Sequence, residues 1–154
     1  MKNKTLLAIT AFIALAGIAA MVVWLTVPGG ELALRPNDKA VVVQGAEIYT
    51  AHCTSCHGAK LEGQPNWRQR LANDKLPAPP HDESGHTWHH SDTLLIDLTK
   101  HGPATVAGPD YKTDMPAYGD ILSDAEIVAV LSYIKSTWPD KIRTRHDRMN
   151  RPRK

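Results

Sequence analysis

Two cysteines and a histidine, Cys53, Cys56 and His57, stand close together in the sequence Cys-Thr-Ser-Cys-His. On a helical turn, residues three apart project from the same face, so the two thiols can reach one ligand together. The imidazole that follows at once can bind a metal held beside them. This order and spacing is the attachment pattern of a c-type haem: each thiol forms a thioether with a vinyl group, and the imidazole becomes an axial iron ligand. We therefore predict one covalently attached haem c on these three residues.

Three other interpretations of the cysteine pair are open. A C-x-x-C pair can be a thioredoxin-like redox centre, but that centre usually lies in a strand–helix–strand unit, and the sequence shows no such alternation. A zinc site needs about four ligands, so two histidines would have to join the two cysteines. A structural disulfide leaves the adjacent histidine without a role. The haem interpretation accounts for all three residues.

A methionine is the candidate ligand for the other side of the iron. Of the four methionines, Met1 initiates the chain, Met21 lies in an apolar run and Met149 in a basic tail, so only Met115 lies in the central part. The surrounding residues are rich in Gly and Pro, which favours a loop over a core position. A thioether is a known axial ligand of haem iron. We predict that Met115 is the second ligand, with His101 as the alternative.

Three longer helices are predicted to position these side chains. Each begins at a polar residue that can accept hydrogen bonds from the free N–H groups of the first turn. The third also shows a capping box and apolar residues at helical spacing. The helices run from Asn37 or Asp38 to about His52, from Ser91 to about His101, and from Ser123 to about Trp138.

Taken in order, these motifs resemble a membrane-anchored bacterial class I cytochrome c, which carries a single haem. The likeness covers roughly residues 39–138, and it rests on the attachment motif, on Gly45 and Tyr49 before it, and on Met115 followed by Pro116. It implies an all-α fold of three to four short helices and loops around one covalent haem, preceded by a single N-terminal transmembrane helix. In that family the glycine lets the C-terminal helix cross the first helix at close range.

The loop after the motif holds three further candidate site residues. Pro65 and the asparagine after it resemble the family's loop beside the haem histidine, where the proline carbonyl accepts the second N–H of the imidazole. Carried over, Pro65 orients His57. Trp67 and Arg68 can donate hydrogen bonds to haem propionates through an indole N–H and a guanidinium. Plain burial of Trp67 and a solvated Arg68 are the alternatives.

Residues 76–90, which we call the histidine loop, combine three prolines with four histidines: His81, His86, His89 and His90. The prolines exclude a regular helix. A copper or zinc site is one hypothesis, but the histidine spacing fits no standard metal pattern. We favour the other hypothesis, a rigid loop that cradles the haem with Trp88 inserted.

The amino-terminal residues are predicted to form an uncleaved membrane anchor. Lys2 and Lys4 precede residues 6–27, an uncharged run that would extend about 33 Å as a helix, enough to cross a bilayer. A cleaved signal peptide is the alternative, because residues 14–16 (Ala-Leu-Ala) offer a cleavage site, although cutting there would leave an apolar end. Since the lysines favour a cytoplasmic N-terminus, we expect a single-pass protein of the bacterial inner membrane with its haem domain in the periplasm.

Composition divides the chain into four parts. We predict an anchor in residues 1–27, a linker in 28–38, a haem domain in 39–138 and a basic, disordered tail in 139–154. The formal net charge of +2 hides this division, because the tail carries 7 basic and 2 acidic side chains while the 31 to 138 region carries 9 basic and 14 acidic ones.

The sequence predicts an electron-transfer protein and not an enzyme, since it shows no Ser–His–Asp set, carboxylate pair or phosphate loop. A haem with histidine and methionine on its two sides has no open position for a substrate. We expect a single-electron carrier with membrane redox complexes as donor and acceptor. It should contact lipid through residues 6–27 and bind neither nucleic acid nor a small-molecule substrate. The alternatives are a haem c subunit of a dehydrogenase or oxidase complex and a haem-based gas-binding module.

Overall fold

The computed structural model describes residues 32–151, and every regular element in that range is helical. In chain order the elements are α1 Lys39–His52, α2 Thr54–His57, a 3₁₀ turn Thr87–His89, α3 Asp92–His101, α4 Ala104–Ala107, α5 Asp124–Ser136 and α6 Asp140–Met149. The all-α prediction is confirmed for this part of the chain. The predicted number of three to four helices is too low. It omits α2 and α4, which are single turns too short to show a hydrophobic period, and α6, which lies in the predicted tail.

The three predicted helices begin where their capping residues indicate. Asp38 accepts hydrogen bonds from the first-turn N–H groups of α1, and Ser91 does the same for α3. Ser123 and Glu126 bond reciprocally as a capping box at the start of α5. Helix α5 ends two residues before the predicted Trp138. That residue precedes a proline, and a residue before proline is pushed out of the helical region.

Helices α1 and α5 cross at Gly45, and this contact organises the fold. A Cβ atom added to Gly45 would overlap the backbone carbonyl of Ala129 and lie 2.9 Å from the Cβ of Tyr133. The absence of a side chain therefore lets the two backbones touch, as the resemblance implied. Around the crossing, α5 supplies much of the buried core, with Ile127, Val128, Val130, Leu131 and Ile134.

The folded domain begins earlier than predicted, because the last residues of the predicted linker 28–38 are bound to it. Leu34 is buried in the core, and its N–H donates to Asp92 Oδ2 at 3.3 Å. The N–H of Arg35 donates to Ser132 Oγ at 2.8 Å. These bonds join residues 58 and 97 positions apart, so no local sequence pattern indicates them.

The prediction of a disordered tail in residues 139–154 is wrong for the portion that the structure describes. Helix α6 is docked on the domain through Ile142, which packs against the core, and through His146, which is fully buried. Lys135 of α5, also buried, pairs with Asp147 at 2.8 Å. From its basic composition alone this segment resembles a solvated tail. Only a few of its side chains face inward, and one of those is a histidine, so no apolar pattern indicates a docked helix.

No helix formed by residues 32–151 is both long enough and apolar enough to cross a membrane. The predicted anchor in residues 6–27 lies outside the described part of the chain, so it stays a prediction.

Candidate haem site

A cavity of about 690 Å³ lies among α1, α3, α5 and the loops that connect them. A volume of this size falls within the range of pockets that enclose drug-sized and cofactor-sized ligands. Its lining is largely apolar, with leucines from several elements and three residues of α5: Leu71, Leu76, Leu95, Leu98, Val130, Leu131 and Ile134. Four predicted site residues with ligand atoms also line it: Cys53, Cys56, His57 and Met115.

The backbone turn around the cysteines presents both thiols to the cavity. Cys53 ends α1, and its carbonyl accepts from the N–H groups of Cys56 at 3.2 Å and His57 at 2.9 Å as α2 begins. Both cysteines are free. Burial, and secondarily the neighbouring thiol, raises the pKa of Cys53 to about 11. Because a redox-active thiol needs a lowered pKa, this environment speaks against the thioredoxin-like interpretation.

His57 is buried and held in one orientation. Its Nδ1 lies 2.8 Å from the carbonyl oxygen of Pro79. A carbonyl can only accept, so Nδ1 carries the proton and Nε2 has a lone pair for a metal. Burial lowers the pKa of His57, although the bond to Pro79 acts in the other direction. The ring is therefore neutral at pH 7, which is the form that ligates iron.

The prediction that Pro65 orients His57 is wrong, because Pro79 accepts that hydrogen bond. Pro65 itself is exposed. The loop after the motif turns back early: the N–H of Gly63 donates to the carbonyl of His57 at 2.8 Å, and the backbone of the next residue pairs with Ala78. These bonds bring the histidine loop alongside the imidazole. The run of prolines in that loop was the available signal for a rigid segment near the site.

His81, in the same loop, lies directly on His57. The two ring centroids are 3.9 Å apart and the planes differ by 22°. Burial, and secondarily the neighbouring His57, holds the pKa of His81 well below its usual range, so the ring is neutral. In the sequence His81 is one of four histidines of the loop, and no local pattern indicates this contact.

The metal hypothesis for the histidine loop finds no support. Within residues 32–151 no three His, Cys, Asp or Glu side chains are grouped as metal ligands. The loop does border the cavity, through Pro77, Pro79, His81, Thr87 and His90. Trp88 is not inserted there; it stacks on His89 and lies beneath Arg145 of α6, with its Nε1–H donating to the Glu83 carbonyl.

Met115 reaches the cavity from the loop between α4 and α5. Its N–H donates to Thr113 Oγ1 at 3.0 Å. The same loop is attached to the domain by Tyr118, whose hydroxyl donates to the carbonyl of His52 at 2.8 Å. His101, the alternative ligand, is exposed and does not line the cavity. The geometry therefore favours Met115 over His101.

Trp67 and Arg68 occupy different positions. Trp67 lines the cavity, so its indole is placed to meet a ligand there. Arg68 is exposed and stacks on Trp67, with Cζ 4.0 Å from the ring centroid, and it does not line the cavity. Trp67 also stacks on His86, at 5.1 Å between centroids. Trp67 stays a candidate contact for a haem propionate, whereas Arg68 contacts the indole and lies outside the cavity lining.

The donor set fits a covalently attached haem: two free thiols, a neutral imidazole and a thioether line one apolar cavity. The Cytochrome c family model matches residues 42–138, which is more than half of the chain and includes all of these groups. No solved structure matches the chain. The chain therefore belongs to the cytochrome c family, whose members are electron carriers that hold haem c through covalent bonds.

Proposed function

We propose that this protein is a mono-haem electron carrier in which Cys53 and Cys56 hold the haem and His57 and Met115 ligate the iron. The observation that carries the proposal is that these four side chains line the same apolar cavity. When bound, the haem supplies reversible one-electron chemistry. Every other contribution comes from the residues around it.

The residues of the cavity prepare both sides of the iron for ligation. The Pro79 carbonyl keeps the proton on Nδ1 of His57, which presents Nε2 and increases its basicity. A methionine ligand raises the reduction potential relative to other ligand sets. The apolar lining excludes water. With His57 and Met115 as its two ligands, the iron would have no position for a substrate, and the haem would supply electron transfer without catalysis.

Visible spectroscopy of the purified full chain tests this ligand set. We expect haem that resists acid-acetone extraction and an oxidised form with the weak red sulfur-to-iron band. Met115→Ala should lose that band and show a lower potential, whereas the matched control His101→Ala should keep both. Reduced wild-type protein should not bind carbon monoxide. Binding of carbon monoxide to the wild type would contradict the proposal and favour the gas-binding alternative.

We also propose that the carrier is tethered to the bacterial inner membrane by residues 6–27, with the haem domain in the periplasm. The uncharged run and the two lysines before it support this placement. Its partners would be membrane redox complexes that donate and accept electrons. After carbonate washing the protein should stay in the membrane fraction with an intact N-terminus by mass. A soluble mature form that starts at Gly17 would contradict the anchor.

Purification in mild detergent separates the carrier from a subunit of a larger complex. A free carrier should purify alone, because its encounters with donor and acceptor are transient. A partner that remains bound through purification would instead support a haem c subunit of a dehydrogenase or oxidase complex.

A further inference from the structure

His81 packs face to face against the imidazole ring of His57. Centroids 3.9 Å apart with an angle of 22° leave no room for a water molecule between the rings. The Pro79 carbonyl fixes one atom of the His57 ring, its Nδ1. A single hydrogen bond to one ring atom still permits the plane of the ring to tilt, because the angle of that bond can vary. A flat neighbour against the ring face removes this remaining freedom.

His81 is itself held on several sides. Its Nδ1 lies 2.8 Å from Thr87 Oγ1, and the Thr87 hydroxyl also lies 3.4 Å from the carbonyl of Pro80. The hydroxyl proton therefore points to Pro80, and Thr87 accepts from His81 Nδ1–H. The backbone N–H of His81 donates to the carbonyl of Leu61 at 2.7 Å. Tyr49 lies edge-on to the ring, with centroids 6.4 Å apart.

The C-terminal segment, residues 138–150, holds the backbone of the histidine loop in place. Three of its side chains each satisfy one backbone group at or just after the histidine loop. Trp138 Nε1–H donates to the His81 carbonyl at 2.8 Å, His146 Nε2–H donates to the His90 carbonyl at 2.8 Å, and Asn150 Oδ1 accepts from the Asp92 N–H at 2.7 Å.

The C-terminal segment also fixes its own side chains. The Trp138 and His146 rings meet edge to face, at 5.0 Å and 72°. Asn150 Nδ2–H donates to His146 Nδ1 at 3.2 Å, which leaves the proton of the neutral ring on Nε2. His146 is fully buried and does not line the cavity, and one of its hydrogen bonds goes to the histidine loop. Its hydrogen bonds therefore act on the site at a distance.

We propose that His81 is a positioning residue that sets the ring plane of His57, and that the C-terminal segment holds the backbone of His81 at the position this contact requires. The inference rests on the proposed ligation of iron by His57. A basic segment that composition alone assigns to solvent thus becomes part of the haem site. In the oxidised protein, the plane of an axial imidazole determines how the unpaired electron is distributed over the haem, and the haem methyl resonances report that distribution.

Proton NMR of the oxidised full chain in detergent micelles tests the proposal. His81→Ala should move the haem methyl resonances and shift the reduction potential, because the plane of the His57 ring can then tilt. His81→Phe retains a flat ring at the contact and should restore the methyl shifts to near the wild-type pattern. The control His89→Ala changes an exposed histidine of the same loop and should move nothing.

Two milder variants decide the question if His81→Ala does not fold. Thr87→Val keeps the size of the side chain but removes the oxygen that holds His81 Nδ1. Trp138→Phe keeps an aromatic ring but removes the donor to the His81 carbonyl. Each should shift the same resonances in the direction of His81→Ala, by a smaller amount. Arg148→Ala, on the exposed face of α6, serves as the control for the C-terminal segment.

The outcomes separate this inference from the proposed function. If the wild-type chain lacks covalent haem, or if His57→Ala leaves the haem spectrum unchanged, the proposed ligation fails. If ligation holds but the methyl shifts and the potential are those of the wild type in every folded variant, only the positioning role is overturned. Loss of thermal stability without any movement of the methyl resonances would likewise overturn it, since a purely structural residue predicts that result.

Discussion

The two sides of the haem cavity are held in different ways. On the histidine side, His57 is buried, its ring is bonded to Pro79 and stacked on His81, and the surrounding loops are joined by backbone hydrogen bonds. On the methionine side, Met115 is half-buried in a long loop. That loop is attached mainly through Tyr118 and the residue after it, which bond to the last turn of α3.

With His57 and Met115 as the proposed iron ligands, this difference predicts that the two ligands respond separately to stress. Segments with few buried contacts open at a lower free energy than the core to which they are attached. The bond to Met115 should therefore be lost under milder denaturing conditions than the bond to His57. The sulfur-to-iron band reports the methionine side, and far-UV circular dichroism reports the helices that carry the histidine side.

The largest expected effect comes from breaking the histidine side at its covalent bonds. The double variant Cys53→Ala with Cys56→Ala should lose all covalently bound haem, because no other thiol exists in the chain. Haem staining after a denaturing gel measures this. Ser55→Ala, between the two cysteines, is the control and should stain fully. Staining of the double variant would contradict the attachment site.

Gly45→Ala should weaken both sides together, because the α1–α5 crossing supports the whole cavity. The new Cβ would meet the Ala129 carbonyl, a backbone group that cannot move cheaply. We expect a loss of about 3 kcal/mol in the free energy of unfolding, at the upper end of the usual cost of overpacking. This exceeds the gain of about 1 kcal/mol from better helix propensity.

Guanidinium titrations measure the loss of stability in Gly45→Ala, followed by the sulfur-to-iron band and by far-UV circular dichroism. The exposed neighbour Gln44→Ala is the matched control and should lower neither transition. A variant that loses only the sulfur-to-iron band early would mean that the crossing supports the methionine side alone.

A pair of tyrosine variants compares the two sides directly. Tyr49 donates to the Gly58 carbonyl beside His57, and Tyr118 donates to the His52 carbonyl from the methionine loop. Tyr49 is buried, which raises its pKa, so Tyr49→Phe should cost about 2 kcal/mol of global stability. Tyr118→Phe should cost about 1 kcal/mol, seen only as earlier loss of the sulfur-to-iron band. Equal effects on both signals in both variants would remove the distinction between the sides.

The smallest expected effect concerns the ion pair between Lys75 and Asp114, next to Met115. Asp114 is largely exposed, so Asp114→Asn should destabilise the methionine loop by about 0.5 kcal/mol at low salt. The difference from wild type should vanish in about 1 M salt, where the charges are screened. Asp110→Asn, a charge removal elsewhere in the loop, is the control. A difference that persists at high salt would mean that Asp114 acts through something other than its charge.

Features with local signals could be predicted from the sequence. The three capped helices depend on residues within a turn of one another, such as Ser123 and Glu126, and they begin where those residues indicate. The attachment motif spans five residues, and Met115 was singled out by elimination. The contact of Gly45 with α5 followed from the family resemblance.

Features that depend on distant partners could not be predicted. Pro79 reaches His57 across 22 positions, whereas the family resemblance indicates Pro65. Helix α6 was missed because its charge resembles that of a solvated tail, while its best-buried residue is His146, a polar side chain that adds nothing to an apolar period. In both cases the deciding interaction is a hydrogen bond to a backbone carbonyl, which any residue can offer.

The docking of α6 also determines where the chain can be truncated without loss of contacts. The family match ends at residue 138, yet a chain truncated there would lose the donor for the His90 carbonyl, the acceptor for the Asp92 N–H and the partner of Lys135 at residue 147. Each such interaction contributes about 0.5–1.5 kcal/mol, and a domain of this size has only about 5–15 kcal/mol in total. A fragment designed to keep these interactions therefore extends to Asn150, and an affinity tag or fusion partner belongs after that residue.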